Sequence, residues 1–257
     1  MESETRSYDW WAHFFRVRHR EALPGIEDWD TRLIDFLVEV LELDDDSRVL
    51  DVACGSGVHL KMLAERGIGG LGFDISESLV KHATEAAAEH ADLVRFVEGD
   101  MRNIDDVAGD EFFDVATVLS GTFGYLGIEE DLQVLEGIHE ALAPGGLLLL
   151  DCLAPQWAAK PPIRHWEMVE DGYLLSETHY DPASCVCQIA FLYIDADGRI
   201  NRQEDPERVR VYTLPELMGL LVATDFEYVA AYGGPALPPV PYDAANADRM
   251  LVVARKA

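Results

Sequence analysis

Val49-Leu50-Asp51-Val52-Ala53-Cys54-Gly55-Ser56-Gly57-Val58-His59 reads as a buried strand, a glycine-rich turn and the start of a helix. The apolar run before the turn shows no polar alternation, as expected of a strand covered on both faces. Glycines in the turn let the backbone approach a ligand closely, and the amides that open a helix favour a negative group. A dinucleotide-binding turn needs G-x-G-x-x-G. Here Gly55-Ser56-Gly57 is followed by Val58, His59 and Leu60, so the third glycine is missing. Asp51, four positions before Gly55, also stands outside that fingerprint. A carboxylate at this place suits a ligand that carries a cationic amine.

Outward from this turn, short apolar runs alternate with helical stretches. Strands are predicted at Arg48–Ala53, Gly70–Asp74, Leu93–Val97, Phe113–Leu119 and Leu147–Leu153, and helices near 58–66, 77–90 and 129–142. Such alternation implies an α/β fold with a parallel, doubly wound sheet. Upstream, Tyr8, Trp10, Trp11, Phe14 and Phe15 fall at helical spacing, and a second helix over 28–43 puts Leu33, Phe36, Leu37 and Val40 on one face. After Pro155 the pattern becomes alternating strands near 166–170, 173–179, 187–194 and 208–212, with Asp197-Gly198 as a hairpin turn. A helix at Leu214–Ala223 and strands at Glu227–Tyr232 and Met250–Ala254 return to the style of the core. The expected layout is one domain over 1–257: helices and lid at 1–46, ligand-binding core at 47–154, an inserted β cap at 155–212, and completion of the core at 213–257.

The 257 residues hold 20 basic and 48 acidic side chains, for a formal net charge of −28, yet 49% are hydrophobic. That apolar share excludes an acidic disordered chain. A surface this negative repels phosphates and argues against a nucleic-acid partner. No apolar run reaches the roughly 20 residues that span a bilayer, so no membrane partner is expected. The N-terminus has neither the basic nor the apolar region of a secretory signal. Cys54, Cys152, Cys185 and Cys187 form no C-x-x-C pair, which fits free thiols in a reducing cytoplasm and no metal site. Only Lys61, Lys81, Lys160 and Lys256 are lysines. Many carboxylates with few lysines suggest a halophilic protein whose self-repulsion is screened by salt.

Five ordered elements over about residues 47–152 resemble the class I S-adenosylmethionine-dependent methyltransferases. They are Asp51-Val-Ala-Cys-Gly55-Ser-Gly57, Gly72-Phe73-Asp74-Ile75-Ser76, Gly99-Asp100-Met101-Arg102, Phe113-Asp114-Val115, and Leu142-Ala143-Pro144-Gly145-Gly146. The resemblance implies a seven-stranded Rossmann-like sheet, an N-terminal helical lid and S-adenosylmethionine as cofactor. It further implies that Ala53, Gly55 and Gly57 line the methionine moiety, with Asp51 near its amine. Asp74, followed by Ile75, would accept hydrogen bonds from the ribose hydroxyls. Asp100 and Met101 would hold the adenine, Leu119 and Ser120 would lie under the sulfonium, and Tyr8 would close the lid. Asp114 is expected to be structural, because it begins its strand.

The stretches Leu50–Val58, Pro144–Asp151 and Ser120-Gly-Thr-Phe-Gly-Tyr125-Leu are similar to glycine N-methyltransferases, and the last also to aminosugar N-methyltransferases. This implies a small-molecule methyl acceptor, with nitrogen the favoured atom. Glycine N-methyltransferases follow the fifth strand with an arginine for the substrate carboxylate. Here the segment is Asp151-Cys152-Leu153-Ala154-Pro155, with Arg164 as a substitute in the cap. An amine needs a free lone pair, alignment and exclusion of water. A hydroxyl needs a base as well. The expected catalytic candidates are Tyr125, His165 and His179, with Tyr125 and Trp166 offering π-faces to a cation. His59 and His139 are expected to be structural. The alternatives are an O-methyltransferase using a cap histidine, and a regulator that binds S-adenosylmethionine without transfer.

Overall fold

The structure is a computed structural model that describes residues 26–160, 163–169, 172–202 and 206–257. The expected lid helix with Tyr8, Trp10 and Trp11 lies outside the described residues. Helix α1 (Ile26–Val40) leads into β1 (Arg48–Val52), α2 (Val58–Ala64), β2 (Gly69–Asp74), α3 (Glu77–Ala86) and β3 (Val94–Glu98). Then come α4 (Ile104–Ala108), β4 (Phe113–Val118), α5 (Ile128–Ala141), β5 (Leu142–Leu153) and the short α6 (Pro155–Ala158). Strands β6 (Ile163–Val169), β7 (Gly172–Asp181), β8 (Val186–Asp195), β9 (Ile200–Arg202) and β10 (Glu207–Arg210) follow. Helix α7 (Leu214–Ala223), β11 (Phe226–Tyr232) and β12 (Arg249–Lys256) end the chain.

The main sheet has seven strands in the order β11-β12-β5-β4-β1-β2-β3. Its central strands are mostly apolar because helices cover both faces. On one face Leu33, Phe36 and Leu37 of α1, with Leu60 and Leu63 of α2, pack on Val49, Val115, Leu149 and Val253. On the other, Leu135 and Ile138 of α5 and Leu217 and Leu221 of α7 pack on Leu50, Phe73, Val118 and Leu150. Residues 49 and 50 thus serve opposite layers, as the period of a strand requires. The sheet is mixed, as its last two strands follow one another directly. β1 to β5 run parallel, but β12 is antiparallel to both β5 and β11. It follows β11 through a loop with no crossover helix, so it must return in the opposite sense.

Strand order reverses between β4 and β1, which makes the C-terminal edge there the crevice in which doubly wound folds bind ligands. A second, antiparallel sheet in the order β10-β8-β7-β6, with β9 beside β8, forms the cap. Cys187 and the partly buried Tyr180 and Ile189 of the cap pack on Leu153, Trp157 and Ala158 at the end of β5. Among the described residues no helix is long and apolar enough to cross a membrane.

Candidate functional site

The turn after β1 is built around three alternate left-handed residues: Ala53 at φ 55°, Gly55 at φ 56° and Gly57 at φ 71°. The two glycines do different work. A Cβ on Gly57 would sit 2.6 Å from Phe96 Cε1 and 2.7 Å from Ala83 Cβ, so the turn needs glycine there to pack on α3 and β3. A Cβ on Gly55 would meet nothing within 4 Å. Gly55 therefore faces open space at the strand ends, as a ligand cradle requires.

Asp74 closes that cradle from the end of β2. Its Oδ2 accepts the Gly55 N–H at 2.9 Å and its Oδ1 accepts the Ser76 N–H at 2.9 Å. The carboxylate is 7% exposed. Burial raises its pKa, and hydrogen bonds from the amides of Ser76, Gly55 and Ile75 pull against that rise. With about four acceptor sites and three amide donors, the carboxylate keeps room for a donor from a ligand. Ile75 is half-buried beside it. Asp51 is buried next to the switch point, where its Oδ1 accepts the Thr117 hydroxyl at 2.9 Å from β4.

Asp100 is held by its own neighbour. It accepts the Arg102 backbone N–H at 2.9 Å, and the Arg102 guanidinium lies 3.0 Å from both carboxylate oxygens through Nε. Burial pushes the Asp100 pKa up, but the hydrogen bonds from Arg102 outweigh it and hold the carboxyl below its ordinary range. Arg102 also reaches Glu130 at 3.2 Å. Met101 packs against the core layer under this turn.

Beyond β4, Leu119 is buried, and Ser120 adopts φ 60° and donates its N–H to Asp151 Oδ2 at 2.9 Å. Asp151 is fully buried and paired with Arg249 of β12, with Nε to Oδ1 at 2.8 Å and Nη2 to Oδ2 at 2.5 Å. The loop continues to Tyr125. Its end is fixed by buried Asp131, which accepts the Tyr212 hydroxyl at 2.5 Å. Burial raises Asp131 to about 6, against the stabilising bonds from Tyr212 and the amides of Gly124 and Leu126. Tyr125 is itself half-buried, its phenol pushed well above the ordinary value by burial and by the charge of Glu207. The charges of Arg249 and Asp74 also bear on it.

The cap divides by alternation. Thr178, Tyr180, Cys187, Ile189 and Val209 share the face that packs inward, because Thr178 pairs with Ile189 and Tyr180 and Val209 with Cys187. His165 pairs with Ser176 on that same face but is exposed. His179 has the opposite parity and lies exposed on the outer face with Glu177. Trp166, 67% exposed, is on that outer face too, and Arg164 bonds Glu177 there at 2.9 Å. The structure therefore brings Tyr125 to the crevice but not His179, Trp166 or Arg164. His59 is buried against Asp30 of α1 at 3.0 Å, His139 packs edge-on to Phe226, and Asp114 accepts the Arg48 N–H at 2.9 Å. All three serve the scaffold.

Sequence reasoning missed Arg249 and Glu207. Arg249 shows no local signal, because its partner Asp151 is 98 residues away. Glu207 does show one: in Glu207-Arg208-Val209-Arg210-Val211 it occupies the apolar parity of a strand.

Residues 49–146 match the family model described as a methyltransferase domain. The fold and this stretch define the class: a Rossmann-like methyltransferase fold. The chain superposes on the methyltransferase CcbJ from Streptomyces caelestis with a TM-score of 0.76 at 24% identity, over 89% of this chain and 90% of that one. It is 32% identical to a glycine/sarcosine N-methyltransferase of Halorhodospira halochloris over 129 residues, 48% of this chain and 47% of that protein. It is 28% identical to dTDP-4-amino-2,3,4,6-tetradeoxy-D-glucose N,N-dimethyltransferase of Saccharopolyspora spinosa over 196 residues, 74% of this chain and 70% of that protein. The chain spans less than half the length of the first curated relatives it matches, 43%, 47% and 44%.

Proposed function

We propose that this protein is an S-adenosylmethionine-dependent methyltransferase acting on the nitrogen of a small amine. The observation that carries the reading is the open cradle at Gly55 with the Asp74 carboxylate bonded across it. The residues fit the cofactor. Asp74 would take the ribose hydroxyls, Gly55 would let the methionine part lie against the backbone, and Asp51 would balance its amine. Asp100, already engaged by Arg102, would offer the adenine amine its remaining capacity, over Met101. When bound, S-adenosylmethionine supplies a methyl group on a positively charged sulfur. The chain's own part is to align the acceptor, exclude water and keep its lone pair free.

Nitrogen is favoured because both relatives described above are N-methyltransferases by name, and because one of the two cap histidines that could serve a hydroxyl acceptor, His179, faces outward. Within amines, an aminosugar-like acceptor fits better than glycine. Arg249 is committed to Asp151 and Arg164 to Glu177, so neither is placed to hold an acceptor carboxylate. The aminosugar relative also aligns over more of this chain.

Two tests follow. In the first, calorimetry should show binding of S-adenosylmethionine, and S-adenosylhomocysteine should accumulate when amines are supplied. Binding with no such product across amine and hydroxyl acceptors would favour a regulator and contradict the proposal. In the second, the glycines should fail in opposite ways. Gly57→Ala should cost about 2–4 kcal/mol of stability, from a left-handed alanine and a forced contact. Gly55→Ala should cost only about 1 kcal/mol but lose cofactor affinity. Equal melting temperatures for the two variants would contradict this division of labour.

A further inference from the structure

Glu207 is a buried acid that the cofactor site does not use. It opens β10, the edge strand of the cap, and is 6% exposed. It pairs directly with Ile189, so it belongs to the inward face with Thr178, Cys187 and Val209. β10 is seated on the loop that follows β4. The Arg210 N–H donates to the Gly124 carbonyl at 2.8 Å, and Gly124, at φ 106°, leaves no room for a Cβ against the Arg210 carbonyl. Tyr125 is the next residue of that loop, and its hydroxyl feels the Glu207 charge. The inward face of β10, which carries Glu207, therefore stands beside the loop that carries Tyr125.

We infer that Glu207 is the residue that recognises the acceptor amine and takes its proton. As an ammonium group enters between the cap and Tyr125 its charge lowers the Glu207 pKa, so Glu207 releases its own proton to solvent and meets the ammonium as a carboxylate in a place sheltered from water, where a charge-assisted hydrogen bond is strong. One N–H bond of the ammonium breaks, the proton passes to a Glu207 carboxylate oxygen, and the nitrogen keeps its lone pair. Burial raises Glu207 to about 8, close enough to an amine for that exchange. Among the described residues, the Glu207 charge bears on Tyr125 from the loop and on Cys187 of β8. This role rests on the N-methyltransferase reading and names the chemistry of its acceptor.

The test uses the full chain loaded with S-adenosylhomocysteine and titrated by calorimetry. The probes are dTDP-4-amino-2,3,4,6-tetradeoxy-D-glucose with its 4-hydroxy counterpart, and sarcosine with methoxyacetate. Wild type should prefer the amine of at least one pair. Glu207→Gln should erase that preference by on the order of 10- to 100-fold, with Glu207→Asp retaining part of it and S-adenosylhomocysteine affinity unchanged. Folding of the variant is checked by melting. A raised pKa means the fold holds the Glu207 proton, so its contribution to stability is present at low pH and lost as pH rises toward about 8. Glu207→Gln should therefore melt no lower than wild type at pH 8. An amine preference that survives in Glu207→Gln overturns this role and leaves the methyltransferase reading standing. Failure of both amines to bind wild type overturns the amine reading and the role of Glu207 with it.

Discussion

Replacing Asp74 with alanine is expected to weaken S-adenosylhomocysteine binding by about 100-fold or more. The proposed contact is a carboxylate accepting from the ribose hydroxyls in a nearly water-free place, with the residue 7% exposed. The same carboxylate also fastens the glycine turn, through the N–H groups of Gly55 and Ser76. Its loss therefore removes a ligand contact and loosens the cradle together. Asp74→Asn keeps the size and one acceptor oxygen, and should fall between wild type and alanine. Because burial raises the Asp74 pKa, affinity should decline as pH falls and the carboxyl takes up its proton. Calorimetry at several pH values checks both points. Unchanged affinity in the alanine variant would remove Asp74 from the site.

The second large effect concerns stability. Arg249→Met should destabilise the fold by about 3–5 kcal/mol, because it leaves a buried carboxylate without its charge partner. Asp151 is 1% exposed in its side chain, while Arg249 covers it from β12 through two short contacts. The pair ties the antiparallel strand to β5, and Ser120, bonded to Asp151, carries that tie into the loop below the cap. The double variant Asp151→Asn with Arg249→Met should recover a large part of the loss, since no charge is then stranded. Chemical denaturation of the single and the double variant beside wild type measures this. A single variant as stable as wild type would show that the pair contributes nothing.

The core was legible because its signals are local. Asp51, Gly55 and Gly57 lie within seven residues, and the strands around them are apolar on both faces. Less was legible where parity or distance decides. Strand direction is not written in an apolar run, and only the pairing shows β12 antiparallel to its neighbours. The fifth strand is expected from Leu147, yet β5 begins at Leu142 and carries an irregularity opposite β4. In the cap the expected histidines were chosen by residue type. A strand of known extent with unknown facing gives each side chain an even chance of pointing outward, and His179 and Trp166 do so. Glu207 hid inside the charged run Arg202-Gln-Glu-Asp-Pro-Glu207-Arg208, and only the pairing with Ile189 turns it inward.

The acidic surface has a separate reading. Of 48 carboxylates, Asp51, Asp74 and Asp100 are assigned to the cofactor and Glu207 to the acceptor, so the charge of −28 is chiefly a matter of the medium. We propose that it suits a salty one, in which screening relieves self-repulsion.

The central claim is methyl transfer to nitrogen at the crevice between Gly55 and the cap. Its most direct measurement is an NMR experiment with S-adenosylmethionine labelled with carbon-13 in the methyl group, mixed with the full chain and the amine probes named above. The account predicts that the labelled signal leaves the sulfur-methyl position and reappears as an N-methyl group. A label that stays on sulfur, or that reappears as an O-methyl group on the hydroxyl counterparts alone, would contradict it.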